Sequence, residues 1–143
     1  MEYDEWIKTV PVEIKADSLW KMTAYRLALY LSDLCWEDAA VLMKTRQTWS
    51  TADQLYRAVN SVGANLAEGY SRSTGKDRAL FYQYALGSAR ESRDWYYKGR
   101  HVLGEKIFQS RSKILVEILR LLLTMIPQQR GRIQREKDSP YDA

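Results

Sequence analysis

Between Val12 and Ile126 the chain contains no proline, and through that span its apolar residues recur at helical spacing. Proline removes a backbone donor and clashes with the preceding turn, so its absence leaves room for helices much longer than average. Trp20, Ala24, Leu27, Leu31, Leu34, Asp38 and Val41 step by 4, 3, 4, 3, 4 and 3 residues. That is one face of an amphipathic helix. Ala28, Cys35 and Leu42 widen the stripe. Asp38 interrupts it and reads as a charge at the stripe's edge that reaches solvent. The pattern predicts a helix from Ser18 to Lys44, capped by Asp17 or Ser18. Residues 1–16 read as an irregular arm, because Pro11 and the residue before it avoid helical geometry.

After a linker at Thr45 to Trp49, Ser50 and Asp53 fit a capping box for a second helix that runs to Tyr70. Leu55, Val59, Val62 and Leu66 form its apolar stripe. Gly69 stands where a left-handed glycine would close it. Thr74 and Asp77 form a second capping box for a third helix, predicted to reach Val102 with Phe81, Ala85, Ser88, Ser92 or Trp95, and Gly99 facing inward. A glycine inside a helix costs up to ~1 kcal/mol relative to alanine, so Gly87 predicts close approach by a neighbouring helix. Gly104 ends the third helix and Ser110 can cap the fourth. Ile114, Leu115, Val116, Ile118, Leu119, Leu121, Leu122, Leu123, Met125 and Ile126 cover most of that helix's circumference. A helix apolar nearly all round is buried on more than one side, so it or its neighbour should contact a second subunit. Pro127 ends or kinks it.

The expected fold is all-α, an antiparallel up-down-up-down four-helix bundle over residues 17–127. Arm 1–16 precedes it, and a basic tail at 128–143, frayed or disordered, follows. The 143 residues fit one domain. The single cysteine excludes an internal disulfide and suits a reducing cytoplasm. The opening Met1-Glu2-Tyr3-Asp4-Glu5-Trp6 is acidic and unlike a secretory signal. No apolar run reaches the ~18 residues a membrane span needs.

Most routes to catalysis fail on residue type. Gly75-Lys76 resembles part of a phosphate loop. However, five residues separate Gly69 from Gly75 where the motif has four, Asp77 replaces the magnesium-holding hydroxyl, and a helix precedes it. His101 is the only histidine, with no ligand set for zinc and no nucleophile-elbow pattern for a triad. It reads as a helix-end residue, and Cys35 as a small buried hydrophobe. Glu68 and Glu91 could pair as carboxylates, but di-iron bundles also need Glu-x-x-His, which is absent. The structural alternative is that Arg57, Ser61, Asn65 and Glu68, at spacings of 4, 4 and 3, bond to Ser88 and Glu91 across a helix pair or cap the turn. The chain is read as a non-enzyme without metal or cofactor.

A binding signal lies on the third helix. Arg90, Arg93, Tyr97 and Arg100 step by 3, 4 and 3, with Tyr96, Lys98 and His101 nearby. Guanidinium groups neutralise phosphates and tyrosines stack on unpaired bases. Arg72, Lys76 and Arg78 add charge at the helix start, and Arg130 and Arg132 lead the four basic residues of the tail. The net charge of +4 permits a polyanion partner, RNA or DNA. The competing reading is a solvated face or subunit contact, with the arginines paired to Glu91 and Asp94.

Gln54-Leu55-Tyr56-Arg57-Ala58-Val59-Asn60-Ser61-Val62-Gly63-Ala64-Asn65-Leu66-Ala67-Glu68-Gly69-Tyr70-Ser71-Arg72 resembles the signature Q-x-x-R-A-x-x-S-I-x-x-N-I-A-E-G-x-x-R. Val62 and Leu66 are conservative departures. Ala85-Leu86-Gly87-Ser88-Ala89-Arg90-Glu91 is similar to A-x-G-S-x-x-E. Both belong to the small bacterial four helix bundle proteins, also called 23S rRNA intervening-sequence proteins. The resemblance spans residues 17–126. It implies an antiparallel four-helix bundle, a homopentamer and no established catalysis, with the matched polar residues structural. A related branch, the accessory variability protein of diversity-generating retroelements, is a basic pentameric barrel that binds nucleic acid and a reverse transcriptase. A protein-interaction scaffold, for instance a reverse-transcriptase partner, is thereby the alternative to direct nucleic-acid binding.

Overall fold

The structure is a computed structural model that describes residues 1–137, with side chains through residue 131. Six helices, four of them long, make up the described chain: α1 (Tyr3–Ile7), α2 (Val12–Lys15), α3 (Thr23–Leu42), α4 (Trp49–Tyr70), α5 (Gly75–Leu103) and α6 (Glu105–Lys137). Two short 3-10 turns, Ser18–Lys21 and Arg46–Thr48, flank α3. Each long helix packs on the next, and α6 also packs on α3. Gly69 of α4 abuts Phe81 and Tyr82 near the start of α5, while Thr51 lies near Gly99 at the end of α5. These two helices therefore run in opposite directions.

The core is built from the apolar stripes. Leu31 and Leu42 of α3, Leu55, Val62 and Leu66 of α4, and Leu115, Ile118 and Leu122 of α6 are fully buried. From α5 the core takes Tyr82, Ala85, Ala89 and Tyr96. The small alanines let the neighbouring helices come close to the two large rings. Of the inner face expected for this helix, Ala85, Ser92 and Gly99 are buried, while Phe81, Ser88 and Trp95 are only partly covered.

The ends of the helices differ from expectation in instructive ways. Asp17 does cap a turn, accepting from the Leu19 N–H at 3.0 Å, but the turn is 3-10. Met22 is then extended, and α3 starts only at Thr23. The Ser50–Asp53 box does not form: the cap position falls two residues earlier, at Thr48, and α4 starts at Trp49. The Thr48 hydroxyl is spent on the Leu42 carbonyl at 2.6 Å, tying the two helices together instead. The Thr74 hydroxyl does accept from the Asp77 N–H, at 3.2 Å. Gly104, at φ +92°, breaks α5 from α6 in a conformation that suits glycine alone. Ser110 lies inside α6. Pro127 does not end that helix, and residues 128–137 of the expected frayed tail continue it.

Gly69 takes the close-approach role that the sequence suggests for Gly87, and neither glycine has the role expected of it. Gly69 does not adopt a left-handed conformation. It sits inside α4, where a Cβ would lie 2.7 Å from Tyr82 Cε1 and 2.9 Å from Phe81 Cβ. Gly87 is exposed, and a Cβ there would meet nothing within 4 Å. The expected helix crossing at Gly87 is absent from the chain's own packing.

The arm is not irregular. Its two short helices fold back, and Trp6 is buried with Tyr30 and Leu34 in a second, smaller core. Trp6 Nε1 donates to Asp33 Oδ2 at 2.6 Å, and the Tyr30 hydroxyl donates to the Met1 carbonyl at 2.6 Å. Such short helices are unstable alone. This tertiary anchoring holds α1, while α2 buries no residue.

Candidate nucleic-acid interface

The basic residues of α5 divide into those the fold consumes and those it leaves free. Arg78 turns inward, donating to Gln129 Oε1 and to the Arg72 carbonyl, both at 2.8 Å. Lys98 pairs with Asp94 at 2.7 Å and lies over the Trp95 ring. Arg100 is held three ways. It donates to the Tyr97 carbonyl at 2.8 Å, pairs with Glu105 at 3.5 Å across the Gly104 break, and stacks 3.8 Å above the Tyr97 ring. Arg72 pairs with Glu68 at 3.1 Å and covers Phe81. Arg90 and Arg93 are exposed and have no ion-pair partner among the described residues. Among the described residues neither arginine pairs with Glu91 or Asp94, and Asp94 goes to Lys98.

Lys76, Gln83, Arg90 and Tyr97 follow one another at seven-residue intervals, so they share a face of α5. The side of α6 that carries Val116, Leu123 and Arg130 has the same interval. These two faces meet. Near the start of α5, Lys76, Asp77, Leu80 and Gln83 enclose a surface recess of about 230 Å³ together with Arg130, two cations beside one acid. Near its end, the Tyr97 ring meets Phe108 of α6 edge-on at 5.7 Å. Tyr97 remains 51% exposed. The result is a cationic seam between α5 and α6 that ends on an exposed aromatic. Arg132, the remaining residue expected here, lies outside the described side chains.

The polar stripe of α4 does not reach α5. The Ser61 hydroxyl donates to the Arg57 carbonyl at 2.9 Å, and Asn65 Nδ2 donates to the Ser61 carbonyl at 2.8 Å. Arg57 pairs with Asp53 at 3.5 Å. No described bond joins these residues to the side chains of Ser88 or Glu91. The expected network is corrected to a chain of bonds within one helix, because Arg57, Glu68 and Glu91 are all exposed and solvated.

The buried polar cluster lies elsewhere, around Asp38. Asp38 does not reach solvent. It is buried, and its Oδ2 accepts from Arg111 Nε and from the Tyr96 hydroxyl, each at 2.7 Å. Arg111 Nη2 donates to Oδ1 at 3.1 Å. Buried charges persist when paired in this way. Burial would lower the Arg111 guanidinium, but the Asp38 hydrogen bond and charge hold it above its usual value. Beside the cluster, burial pushes the Cys35 thiol up to about 12, although the neighbouring Tyr96 side chain opposes this. Burial, and the Cys35 and Asp38 charges, raise Tyr96 well above the usual tyrosine range. A hint was available. Asp38 keeps the α3 core register, and Tyr96 continues the 85, 89, 92 spacing.

A second surface feature carries no local signal in the sequence. Between α3 and α4 lies an open, largely apolar groove of about 510 Å³ lined by Trp36, Met43, Trp49 and Tyr56, with Asp53 at its edge. Trp36 is 67% exposed. His101 is exposed, and no cluster of described residues could hold a metal ion. No helix among them is long and apolar enough to cross a membrane.

The sequence pattern of the 23S rRNA-intervening sequence protein family matches residues 21–124. A crystal structure of a protein of unknown function from the S23 ribosomal protein family, from Bacteroides thetaiotaomicron, is similar at a TM-score of 0.68 and 20% identity. The similarity covers 73% of this chain and 98% of that one. At this identity the likeness shows the fold alone. No curated protein matches the chain.

Proposed function

The chain belongs to the 23S rRNA-intervening sequence protein family, and from that premise we propose that it is a non-enzymatic, oligomeric helical protein that binds RNA or DNA along the α5–α6 seam. The observation that carries this reading is the division of arginines on α5. Arg78 and Arg100 are tied into the fold, while Arg90 and Arg93 stand exposed on the same helix without a described acid to neutralise them. Unpaired guanidinium groups in line are the chemistry that releases counterions from a phosphate backbone.

In this reading the four long helices form an antiparallel up-down-up-down bundle, and five copies close into a ring in the cytoplasm. Val116 and Leu123 of α6, 53% and 52% exposed, support a subunit contact beside the seam. A head-to-tail contact whose rotation closes makes a ring, and a ring repeats each cationic seam, so weak contacts become avid. Light scattering on the purified chain, with and without a short structured RNA at low and high salt, tests the reading. It supports a pentamer-sized particle that gains mass with RNA at low salt only. A particle indifferent to RNA and to DNA at both salts removes it.

A protein-interaction scaffold is the second reading, favoured by the α3–α4 groove with its exposed Trp36 and Trp49. Large exposed apolar patches mark interaction sites. A reverse transcriptase, as for an accessory protein of a diversity-generating retroelement, is the partner to test. Retention of such an enzyme in a high-salt pull-down, lost in Trp36→Ala, would favour this reading over the first.

A further inference from the structure

Resting on the nucleic-acid reading above, we infer that the strand this seam takes is unpaired, and that the stack of Arg100 on Tyr97 is the platform for one of its bases. Tyr97 is an aromatic ring left half in solvent at the end of a cationic line. It is not loose. Arg100 covers it at 3.8 Å, Phe108 meets it edge-on, and Arg100 is itself fixed by Glu105 and by the Tyr97 carbonyl. The guanidinium plane and the ring thus form a stack already ordered before any ligand arrives. Its charge is met by Glu105, so Arg100 offers a flat surface rather than a phosphate contact. Its side chain retains 23% exposure.

Arg93 and Arg90 lie one and two turns back along α5. At 1.5 Å of rise per residue they stand about 6 and 10 Å from Tyr97 along the helix axis. Cations and stacking surface therefore follow a single line, the arrangement that suits one strand with splayed bases, which stack on tyrosine rings and arginine planes. A duplex could use the two arginines but not the platform. Its base faces are stacked inside, and its groove edges offer hydrogen-bonding groups. Unpaired RNA and unpaired DNA share the required chemistry.

The test measures fluorescence anisotropy with labelled oligouridine RNA, oligothymidine DNA, and a duplex of equal length at equal phosphate concentration. The inference expects either single strand to bind about tenfold or more tightly than the duplex, and the better of the two identifies the sugar. Tyr97→Leu should lose about tenfold on the single strand and nothing on the duplex, while Tyr97→Phe should retain affinity. Circular dichroism confirms that the variants fold. A duplex that binds as tightly as the single strands overturns the inference, as does a Tyr97→Leu variant with undiminished single-strand affinity. Either result leaves the nucleic-acid reading standing. Binding of none of the three probes overturns both.

Discussion

Arg111 of α6 grips Asp38 of α3 with two hydrogen bonds, Nε to Oδ2 at 2.7 Å and Nη2 to Oδ1 at 3.1 Å, in a site from which both side chains are almost wholly withdrawn from water. The Tyr96 hydroxyl of α5 donates to the same carboxylate. Three of the four long helices therefore meet at one anion. A pair like this gains little net stability over apolar residues of equal size, but it fixes which residues must face each other. Sliding α3 or α6 by one turn would strand a charge in the core, and sliding α5 would take the Tyr96 hydroxyl from the carboxylate.

Removing one partner should be far worse than removing both. Asp38→Leu leaves the Arg111 guanidinium buried without its anion and should cost about 3–5 kcal/mol. The double variant Asp38→Leu with Arg111→Met should recover most of that loss. Urea denaturation of the three proteins measures it. A single variant within 1 kcal/mol of wild type, on the order of a surface change, would remove the structural role.

Stability should fall on the alkaline side. Burial raises the Cys35 thiol to about 12 and lifts Tyr96 well above its usual range. Both groups fold in their neutral, protonated form. As pH rises past the unfolded thiol value of about 8.5, the unfolded chain binds fewer protons than the folded one, so unfolding gains. This contribution is complete below that pH and is lost as pH climbs toward 12, at up to ~1.4 kcal/mol per pH unit for the thiol. Cys35→Ala should flatten the slope until the tyrosine range is reached. Melting temperature against pH for the two proteins provides the check, and parallel curves would refute the assignment.

Opposite signs are expected at two glycines. Gly69→Ala pushes a methyl against the buried Tyr82 ring and the Phe81 Cβ, and should destabilise by about 1–3 kcal/mol despite the better helix former. Gly87→Ala meets nothing and should stabilise an isolated chain by up to ~1 kcal/mol. Denaturation of both variants separates packing from propensity at equal chemistry.

The arm should behave as part of the folded unit. Trp6→Ala empties the second core and abandons the bond to Asp33, at a cost of about 3 kcal/mol by analogy with other buried aromatic truncations. Protease sensitivity confined to residues 1–16 would be the local counterpart.

The long helices were legible because their apolar periodicity is strong, and the Thr74 cap and the Gly104 break were legible because their chemistry is local. What the sequence hid was tertiary. A charge inside an apolar stripe reads by default as an edge residue, and nothing near Asp38 in the chain announces an arginine 73 positions away. Gly69 and Gly87 look alike until one of them meets Tyr82. α1 is too short to signal itself, because what holds it is Trp6 packing on Tyr30 and Leu34, far along the chain. The basic stripe showed its direction on α5 but not its division, because Glu105 claims Arg100 only once Gly104 has turned the chain. The α4 polar stripe misled for the same reason in reverse. Its regular spacing reflects bonds within the helix rather than across a helix pair.

The binding claim rests on Arg90 and Arg93, and it is tested most directly by the salt dependence of single-stranded RNA affinity for the wild type and for the double variant Arg90→Gln with Arg93→Gln. Each phosphate contact on a single strand contributes a slope of roughly −0.7 in log affinity against log salt. The account expects the double variant to bind more weakly at low salt, with a slope shallower by roughly 1.4, the sum of two such contacts. Equal affinity and an equal slope in the two proteins would contradict it.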